Sequence, residues 1–288
     1  MAAPNPPPIA SDFTTAAGLR LHYRSAGSGE PVLLVHGWPA SSHLWRDVIP
    51  PIARTHRVVA IDLPGFGRSD KPLDLRYEYD DYDRILDAFL DALELPAVNL
   101  VVHDLGGPVG LLWAVRHPHR VLRLAMCNTL VYPELSGAAI AFLVAMRLPL
   151  LRTYLSSPRG IAAAMRLGVA DKGRMRRKQI EPYQAPFTRP DARKALIRSV
   201  TSLGRAGLVE IAAGLGRLDI PVRIVYGTED RILPDVAKTM RRVAGDLPQA
   251  EVTALEGCGH FLQEERPEEV GEILAAFVNG PLQIRAAG

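Results

Sequence analysis

Short apolar segments alternate with longer amphipathic segments over the first half of the chain, and this alternation constrains the fold most. The apolar segments are rich in Val, Leu and Ile and are bounded by Gly, Pro or Asp, as strands covered on both faces should be. The repeated order of strand and helix predicts a mostly parallel sheet flanked by helices, an α/β fold. Residues 19–24 alternate in polarity and predict one half-exposed strand. The predicted buried strands are 31–35, 57–63, 98–103 and 121–127, and the predicted helices are 42–53, 80–93 and 107–117.

The strand pattern stops after Asn128 and resumes only at residues 222–226 and 250–255. The intervening sequence is rich in Ala, Leu and Arg and is interrupted by prolines, which predicts short helices. We therefore predict an α/β core formed by residues 1–131 and 217–288, with residues 132–216 inserted as a helical cap.

Composition excludes several classes of protein. The chain has 34 Lys and Arg against 31 Asp and Glu, an excess too small for a dedicated nucleic-acid binder. Its 2 cysteines exclude a disulfide scaffold and fit a reducing compartment. The first ten residues lack the pattern of an export signal, and no apolar stretch approaches the roughly 20 residues of a membrane-spanning helix. We therefore predict a cytoplasmic protein without a membrane span.

Three polar residues follow predicted strands or their loops, where an open parallel sheet binds its ligands. Asp104 stands between a strand and a helix that opens with two glycines. Asp230 lies in a loop after the strand 222–226, and His260 lies in the sequence Gly-Cys-Gly-His-Phe. Each residue alone has a structural interpretation, since Asp often caps a helix and Glu229 beside Asp230 is an alternative acid.

Taken together, the three motifs resemble those of the α/β-hydrolase fold family, in which nucleophile, acid and histidine follow one another along the chain. The turn that reads Gly-x-Ser-x-Gly in that family has Val102 for the first glycine and Asp104 for the serine. Both departures resemble epoxide hydrolases and haloalkane dehalogenases, whose nucleophile is a carboxylate. The resemblance implies that Asp104 is the nucleophile, His260 the base and Asp230 its partner, with neither a metal nor an organic cofactor.

The sequence His36-Gly37-Trp38-Pro39 resembles the oxyanion turn of the same family. This resemblance implies that the backbone N–H groups of Trp38 and Leu105 stabilise a developing negative charge on oxygen. It also places His36 in the substrate-binding region.

Epoxide hydrolases and haloalkane dehalogenases differ in the leaving group that they must stabilise. Haloalkane dehalogenases carry Trp after the nucleophile and Asn or Glu after His-Gly, where this chain has Leu105 and Trp38. We therefore favour an epoxide hydrolase that produces vicinal diols, with Tyr154 and Tyr183 as proton donors from the cap. Other segments resemble dehalogenases, so a haloalkane dehalogenase is the first alternative, and a non-catalytic binding protein of the same fold is the second. The expected partner is a small apolar electrophile rather than a nucleic acid, and a homodimer stays open.

Two further segments of the predicted cap have more than one interpretation. The apolar residues 138–146, with Leu148, Leu150 and Leu151, form either an interfacial patch or the underside of the cap, and we favour the underside. The basic run 172–178 either contacts an anionic surface or is the solvated face of a helix, and we favour the solvated face.

Overall fold

A computed structural model describes residues 7–281 and contains one eight-stranded sheet. The strands are β1 (Ala10–Ala16), β2 (Leu19–Ala26), β3 (Pro31–Val35), β4 (Arg57–Ile61), β5 (Val98–Asp104), β6 (Val121–Thr129), β7 (Val222–Gly227) and β8 (Ala250–Leu255). Their order across the sheet is β1-β2-β4-β3-β5-β6-β7-β8. The pairs β1/β2 and β2/β4 are antiparallel, and the pairs from β4 to β8 are parallel.

Helices flank this sheet, which confirms the predicted α/β-hydrolase fold. The α-helices are α1 (Ile49–Ile52), α2 (Tyr79–Ala92), α3 (Gly106–Arg116), α4 (Gly137–Ala145), α5 (Pro149–Leu155), α6 (Pro158–Leu167), α7 (Arg177–Gln184), α8 (Pro190–Thr201), α9 (Arg205–Leu215), α10 (Val236–Asp246), α11 (Leu262–Glu265) and α12 (Pro267–Asn279). Short 3₁₀ turns lie at Ser42–Trp45, Pro118–Arg120, Lys172–Arg174 and Ala185–Phe187.

The predicted strands lie within two residues of the observed ones, because their apolar runs are buried in the sheet. Every residue of β5, for example, is buried. Strand β1 was not predicted, since its sequence is polar and largely exposed and therefore carries no apolar signal. The prediction of one continuous helix over residues 42–53 was wrong. Pro50 and Pro51 divide it into a 3₁₀ turn and the short helix α1.

The sheet order brings the polar loops together. Strands β3 and β5 are direct parallel neighbours near the centre of the sheet, and β6 lies on the other side of β5. Their carboxyl ends therefore meet at one edge, where the loop after β3 adjoins Asp104 at the end of β5. The functional residues predicted from separate motifs share this edge because of the strand order.

Between β6 and β7 the described chain forms helices α4–α9 and no strands. We refer to residues 137–215 as the helical insertion. It contacts the core at the histidine loop, where the carbonyl of Gly168 accepts the N–H of His260 at 2.6 Å. A single helix long and apolar enough to cross a bilayer is absent from residues 7–281. Within the same residues, no cluster of three or more His, Cys, Asp or Glu side chains is arranged to hold a metal ion.

Candidate active site

Asp104 occupies a strained turn between β5 and α3. Its φ of +51° lies in the left-handed region, which is unfavourable for a residue with a side chain. The hydroxyl of Thr129 donates to the backbone carbonyl of Asp104 at 2.6 Å and supports this conformation. A Cβ atom on Gly107 would overlap the same hydroxyl, so only glycine fits where α3 passes β6. The turn directs the Asp104 carboxylate to the wall of an internal cavity.

One oxygen of that carboxylate is held by backbone N–H groups. The N–H of Trp38 donates to Oδ1 of Asp104 at 2.6 Å, and the N–H of Leu105 also acts on this carboxyl group. Gly37 lies so close that a Cβ atom there would overlap Asp104 Oδ1. The structure therefore brings together Asp104 and the two N–H groups that the sequence predicted for an oxyanion site.

His260 lies between two carboxylates and is fully buried. Its Nδ1 is 2.8 Å from Oδ2 of Asp230, a hydrogen-bond distance. Its Nε2 is 3.3 Å from Oδ2 of Asp104, close enough for an ion pair but without the alignment of a hydrogen bond. The imidazole therefore has one nitrogen fixed by Asp230, while the other faces the carboxylate of Asp104.

Asp230 is itself held by hydrogen bonds to both of its oxygens. The backbone N–H groups of Ile232 and Leu233 each donate to Oδ1 at 2.8 Å. The side-chain amide of Asn128 donates to Oδ2 at 2.7 Å. Glu229 is exposed, so Asp230 and not Glu229 is the carboxylate that contacts the histidine.

The charges of these three groups are interdependent. Burial by itself raises the pKa of Asp104 and of Asp230, but His260 and the N–H donors outweigh it and lower both pKa values. Burial also lowers the pKa of His260, but Asp230 and Asp104 outweigh this effect and raise the pKa to about 10. At neutral pH the site therefore contains an imidazolium between two carboxylates.

A cavity of about 340 Å³ lies over Asp104, and its walls are predominantly apolar. The helical insertion supplies most of the apolar wall, and the polar side chains in the wall are few. Besides Asp104, those able to donate a hydrogen bond are Trp38, Tyr79 and Arg231. The apolar wall includes Leu105, Leu130, Leu135, Phe142, Leu143, Leu155, Ala164, Leu167, Val200, Leu203, Leu208, Ile232 and Phe261.

Three residues predicted to contact the substrate do not line this cavity, and we correct those assignments. Nδ1 of His36 lies 2.8 Å from the carbonyl of Gly37 and its Nε2 accepts the N–H of Leu63 at 3.1 Å, so both nitrogens brace loops. Tyr154 is 51% exposed on the outside of α5. Tyr183 is buried, and its hydroxyl donates to Glu264 instead of facing the cavity.

Some supporting residues were not predicted. Glu265 is buried and accepts the N–H of Gly259 at 2.7 Å and those of Ala170 and Asp171 at 2.9 Å each, which ties the histidine loop to the helical insertion. Tyr79 at the start of α2 lines the cavity, and burial raises the pKa of its hydroxyl well above the usual value. Glu265 lies shortly after the predicted base His260 in the sequence, whereas no motif lies near Tyr79.

Comparison with known proteins places these features in a wider group. A family model described as the alpha/beta hydrolase fold matches residues 30–156. A cis-3-alkyl-4-alkyloxetan-2-one decarboxylase from Shewanella oneidensis is 32% identical over 91% of this chain and 86% of that protein. A haloalkane dehalogenase from Agrobacterium fabrum is 30% identical over 91% of this chain and 90% of that protein. The solved structure of the haloalkane dehalogenase DatA from Agrobacterium tumefaciens C58 superposes with a TM-score of 0.82 at 27% identity, covering 94% of this chain and 96% of that one.

Proposed function

This chain belongs to the α/β-hydrolase family and is a hydrolase of its haloalkane dehalogenase and epoxide hydrolase-like group. We propose that it hydrolyses a carbon–halogen bond through an ester on Asp104. The observation that carries this proposal is the Asp104 carboxylate itself. It is ionised, lies in an apolar cavity, and has the N–H of Trp38 on one oxygen and His260 beside the other.

In the first step, Oδ2 of Asp104 attacks the carbon that bears the halogen. A C–O bond forms, the carbon–halogen bond breaks, and the halide leaves with the bonding electron pair. The carboxylate needs no base for this step because it is already ionised. The N–H of Trp38 keeps Oδ1 in place, so that Oδ2, the oxygen nearer His260, is the one directed to the substrate.

In the second step, water attacks the carbonyl carbon of the Asp104 ester. Ester formation removes one of the two negative charges that raise the pKa of His260, so that pKa falls and the imidazole can release its proton and act as a base. His260 then takes a proton from the attacking water, while the N–H groups of Trp38 and Leu105 stabilise the oxyanion. The tetrahedral intermediate then expels the alkoxide, which takes the proton from His260 and leaves as the alcohol. Asp104 is restored with one oxygen derived from water.

The positions of the tyrosines support halide over epoxide as the substrate. Ring opening of an epoxide calls for an acid near the oxygen, but Tyr154 and Tyr183 do not line the cavity. Tyr79 does line it, but its raised pKa makes it a weak acid. A departing halide needs only hydrogen-bond donors. The indole Nε1–H of Trp38 is such a donor, since it is buried and has no acceptor among residues 7–281. Several similar proteins are named haloalkane dehalogenases, which supports the same choice over the epoxide reaction that the sequence motifs favoured.

The helical insertion completes the site in this proposal. We assign residues 132–216 as a cap over a core of residues 1–131 and 217–288, because β6 ends at Thr129, β7 begins at Val222, and helices between them supply much of the cavity wall. The apolar wall indicates a substrate with an alkyl chain. Location in the cytoplasm stays a prediction.

A parallel assay of two substrates tests the choice of reaction. We expect bromide release from 1-bromohexane and no diol from 1,2-epoxyhexane. Diol formation without bromide release would support the epoxide reaction instead.

A single turnover in ¹⁸O-labelled water tests the ester independently of the leaving group. One label is expected in the Asp104 carboxyl group, because water attacks the carbonyl carbon of the ester and not the substrate. The Asp104→Asn variant is the control, and it should incorporate no label and release no bromide. Label found only in the alcohol after one turnover would refute the ester.

The indole N–H of Trp38 can be tested separately from its backbone N–H. We expect Trp38→Phe to slow bromide release about tenfold, which corresponds to one lost hydrogen-bond donor in a buried site. Trp45→Phe is the matched control, because Nε1 of Trp45 is also buried without a partner among the described residues but does not line the cavity. An equal loss in both variants would show that only packing was changed.

A further inference from the structure

The outer face of the helical insertion exposes an unusual amount of apolar surface. Large apolar side chains on α4, on α5 and at their junction are between 46% and 87% exposed. Elsewhere in the described chain, exposed apolar residues such as Val209 and Val252 occur singly. Contiguous apolar surface of this kind marks an interaction site. We define the apolar patch as Ile140, Val144, Leu148, Leu150, Leu151 and Tyr154.

The charge around the apolar patch has one sign. No Asp or Glu occurs between Leu135 and Ala170, a stretch that contains the four arginines Arg147, Arg152, Arg159 and Arg166. All four side chains are exposed. Within residues 7–281, none of them lies in an ion pair. The apolar surface is therefore bordered by cations without internal counterions.

A second cavity, distinct from that over Asp104, lies beside this patch. Its volume is about 430 Å³, and its lining includes Arg159, Arg166 and Arg177 together with Tyr154 of the apolar patch. No acidic side chain lines it. Arginine side chains bind phosphate through several N–H groups at once, so three of them around one cavity suit a phosphate ester.

We propose that this face docks on the surface of a bilayer that contains anionic phospholipid. The apolar patch inserts into the boundary between headgroups and acyl chains, and a lipid phosphate occupies the cavity formed by the three arginines. Membrane-surface helices combine these same features, an apolar face and a border of Arg or Lys attracted to anionic lipid.

The geometry of α4 and α5 fits a surface position. The two helices are strongly apolar but meet at an angle of 103°, and each is too short to cross a bilayer. A bent pair of this length can lie along the surface and present its outer side chains to the lipid.

The same helices connect the membrane face to the cavity over Asp104. Phe142 and Leu143 of α4 line that cavity, while Ile140 and Val144 of the same helix are exposed in the apolar patch. Leu167 lines the cavity and is also 50% exposed. A lipophilic substrate dissolved in the bilayer would therefore reach the site across a continuous apolar surface. Docking itself does not depend on the reaction proposed above.

Binding of the full chain to vesicles tests the proposal without measuring activity. We expect co-sedimentation with vesicles of phosphatidylcholine and phosphatidylglycerol, weaker binding to phosphatidylcholine alone, and a decrease in binding as salt is added. The triple variant Arg159→Gln, Arg166→Gln and Arg177→Gln should bind the anionic vesicles on the order of 100-fold more weakly, since each arginine contributes roughly a fivefold gain near an anionic surface.

The apolar part of the interaction requires its own variant and matched controls. Leu150→Ser with Leu151→Ser should abolish most binding to both kinds of vesicle. Val209→Ser removes an equally exposed apolar side chain on α9, and Arg241→Gln removes an exposed arginine on α10, so neither should alter binding. Circular dichroism and the melting temperature show whether each variant is folded.

Three results would overturn the proposal. The first is a wild type that sediments with neither kind of vesicle. The second is binding equal to that of the wild type by the arginine and leucine variants, once they are shown to be folded. The third is a homodimer in solution that Leu150→Ser with Leu151→Ser converts to a monomer while vesicle binding is absent, which would assign the patch to a second copy of the chain.

Discussion

Polar side chains at the carboxyl edge of the sheet have partners within the chain, whereas many apolar and basic side chains of the helical insertion face outward without one. At the sheet edge, Asp104, Asp230 and His260 are buried and held by backbone N–H groups or by one another. In the insertion, apolar side chains such as Leu150 remain exposed, and the four arginines that border the apolar patch have no ion-pair partner within the described chain. The sheet edge is therefore organised for catalysis, whereas the exposed face of the insertion is organised for contact with a partner outside the chain.

The largest effect should come from His260, which acts as a base in the second step of the proposed reaction. We expect His260→Gln to lower turnover of 1-bromohexane by about 10⁴-fold. Alkylation of Asp104 should continue, because that step needs no base. The measurement is the intact mass of the variant after exposure to substrate, which should show a stable alkyl adduct on Asp104. Normal turnover by this variant would remove His260 from the mechanism.

A smaller loss should follow from Asp230, which acts through the histidine. Asp230→Asn keeps the shape of the side chain but removes the charge that orients and stabilises the imidazolium, so turnover should fall roughly 10²–10⁴-fold. Glu229→Gln is the matched control, since it neutralises the exposed neighbour and should change turnover less than about twofold. A larger loss in Glu229→Gln than in Asp230→Asn would exchange their roles.

The same two regions also differ in how well the sequence predicted them. At the sheet edge, local sequence determines local geometry. Asp104 lies in a tight turn between a buried strand and a glycine-rich helix start, and strand order brings it to His260. The resemblance to the α/β-hydrolase family therefore implied that Asp104, His260 and Asp230 act together, and the structure places His260 between the two carboxylates. Asn128, near the end of β6, also contacts Asp230.

In the insertion, composition predicted helices but not the direction in which side chains point. Tyr154 and Tyr183 were chosen as the aromatic hydroxyls of the predicted cap, yet one is exposed on α5 and the other donates to Glu264. The apolar segment 138–146 had two interpretations, and the structure agrees with both, since Phe142 lines the cavity and Val144 is exposed. Such orientations depend on how short helices pack on the core, which proline breaks do not specify.

A variant of the insertion should affect substrate binding and leave the chemistry at the sheet edge intact. Phe142 lines the cavity and packs edge to face on Trp38 with a centroid distance of 4.8 Å. Phe142→Ala should raise KM for 1-bromohexane about tenfold through lost apolar contact. Hydrolysis of the preformed ester in a single turnover should change less than about twofold. Phe277→Ala is the control, since Phe277 is half-buried on α12 outside this cavity and should leave KM unchanged.

The smallest effect is a dependence of stability on pH that arises at the sheet edge alone. Burial lowers the pKa of His260, but Asp230 and Asp104 raise it to about 10 in the folded chain. The pKa of an unfolded histidine is about 6.5. Because the folded state retains this proton over that interval, the resulting stability is complete below about pH 6.5 and is lost as the pH rises to about 10.

His260→Gln removes this contribution and leaves every other titratable group in place. Between about pH 6 and about pH 10, the melting temperature of the wild type should therefore fall roughly a few degrees more than that of His260→Gln. Asp104 and Asp230 have lowered pKa values, so they titrate in acid and do not contribute in this interval. Parallel melting curves over the whole interval would mean that the imidazole is neutral at rest. Asp104 would then lack the neighbouring cation that favours its ionised form. His260 would also be neutral in both steps, and would not have to lose a proton between ester formation and ester hydrolysis.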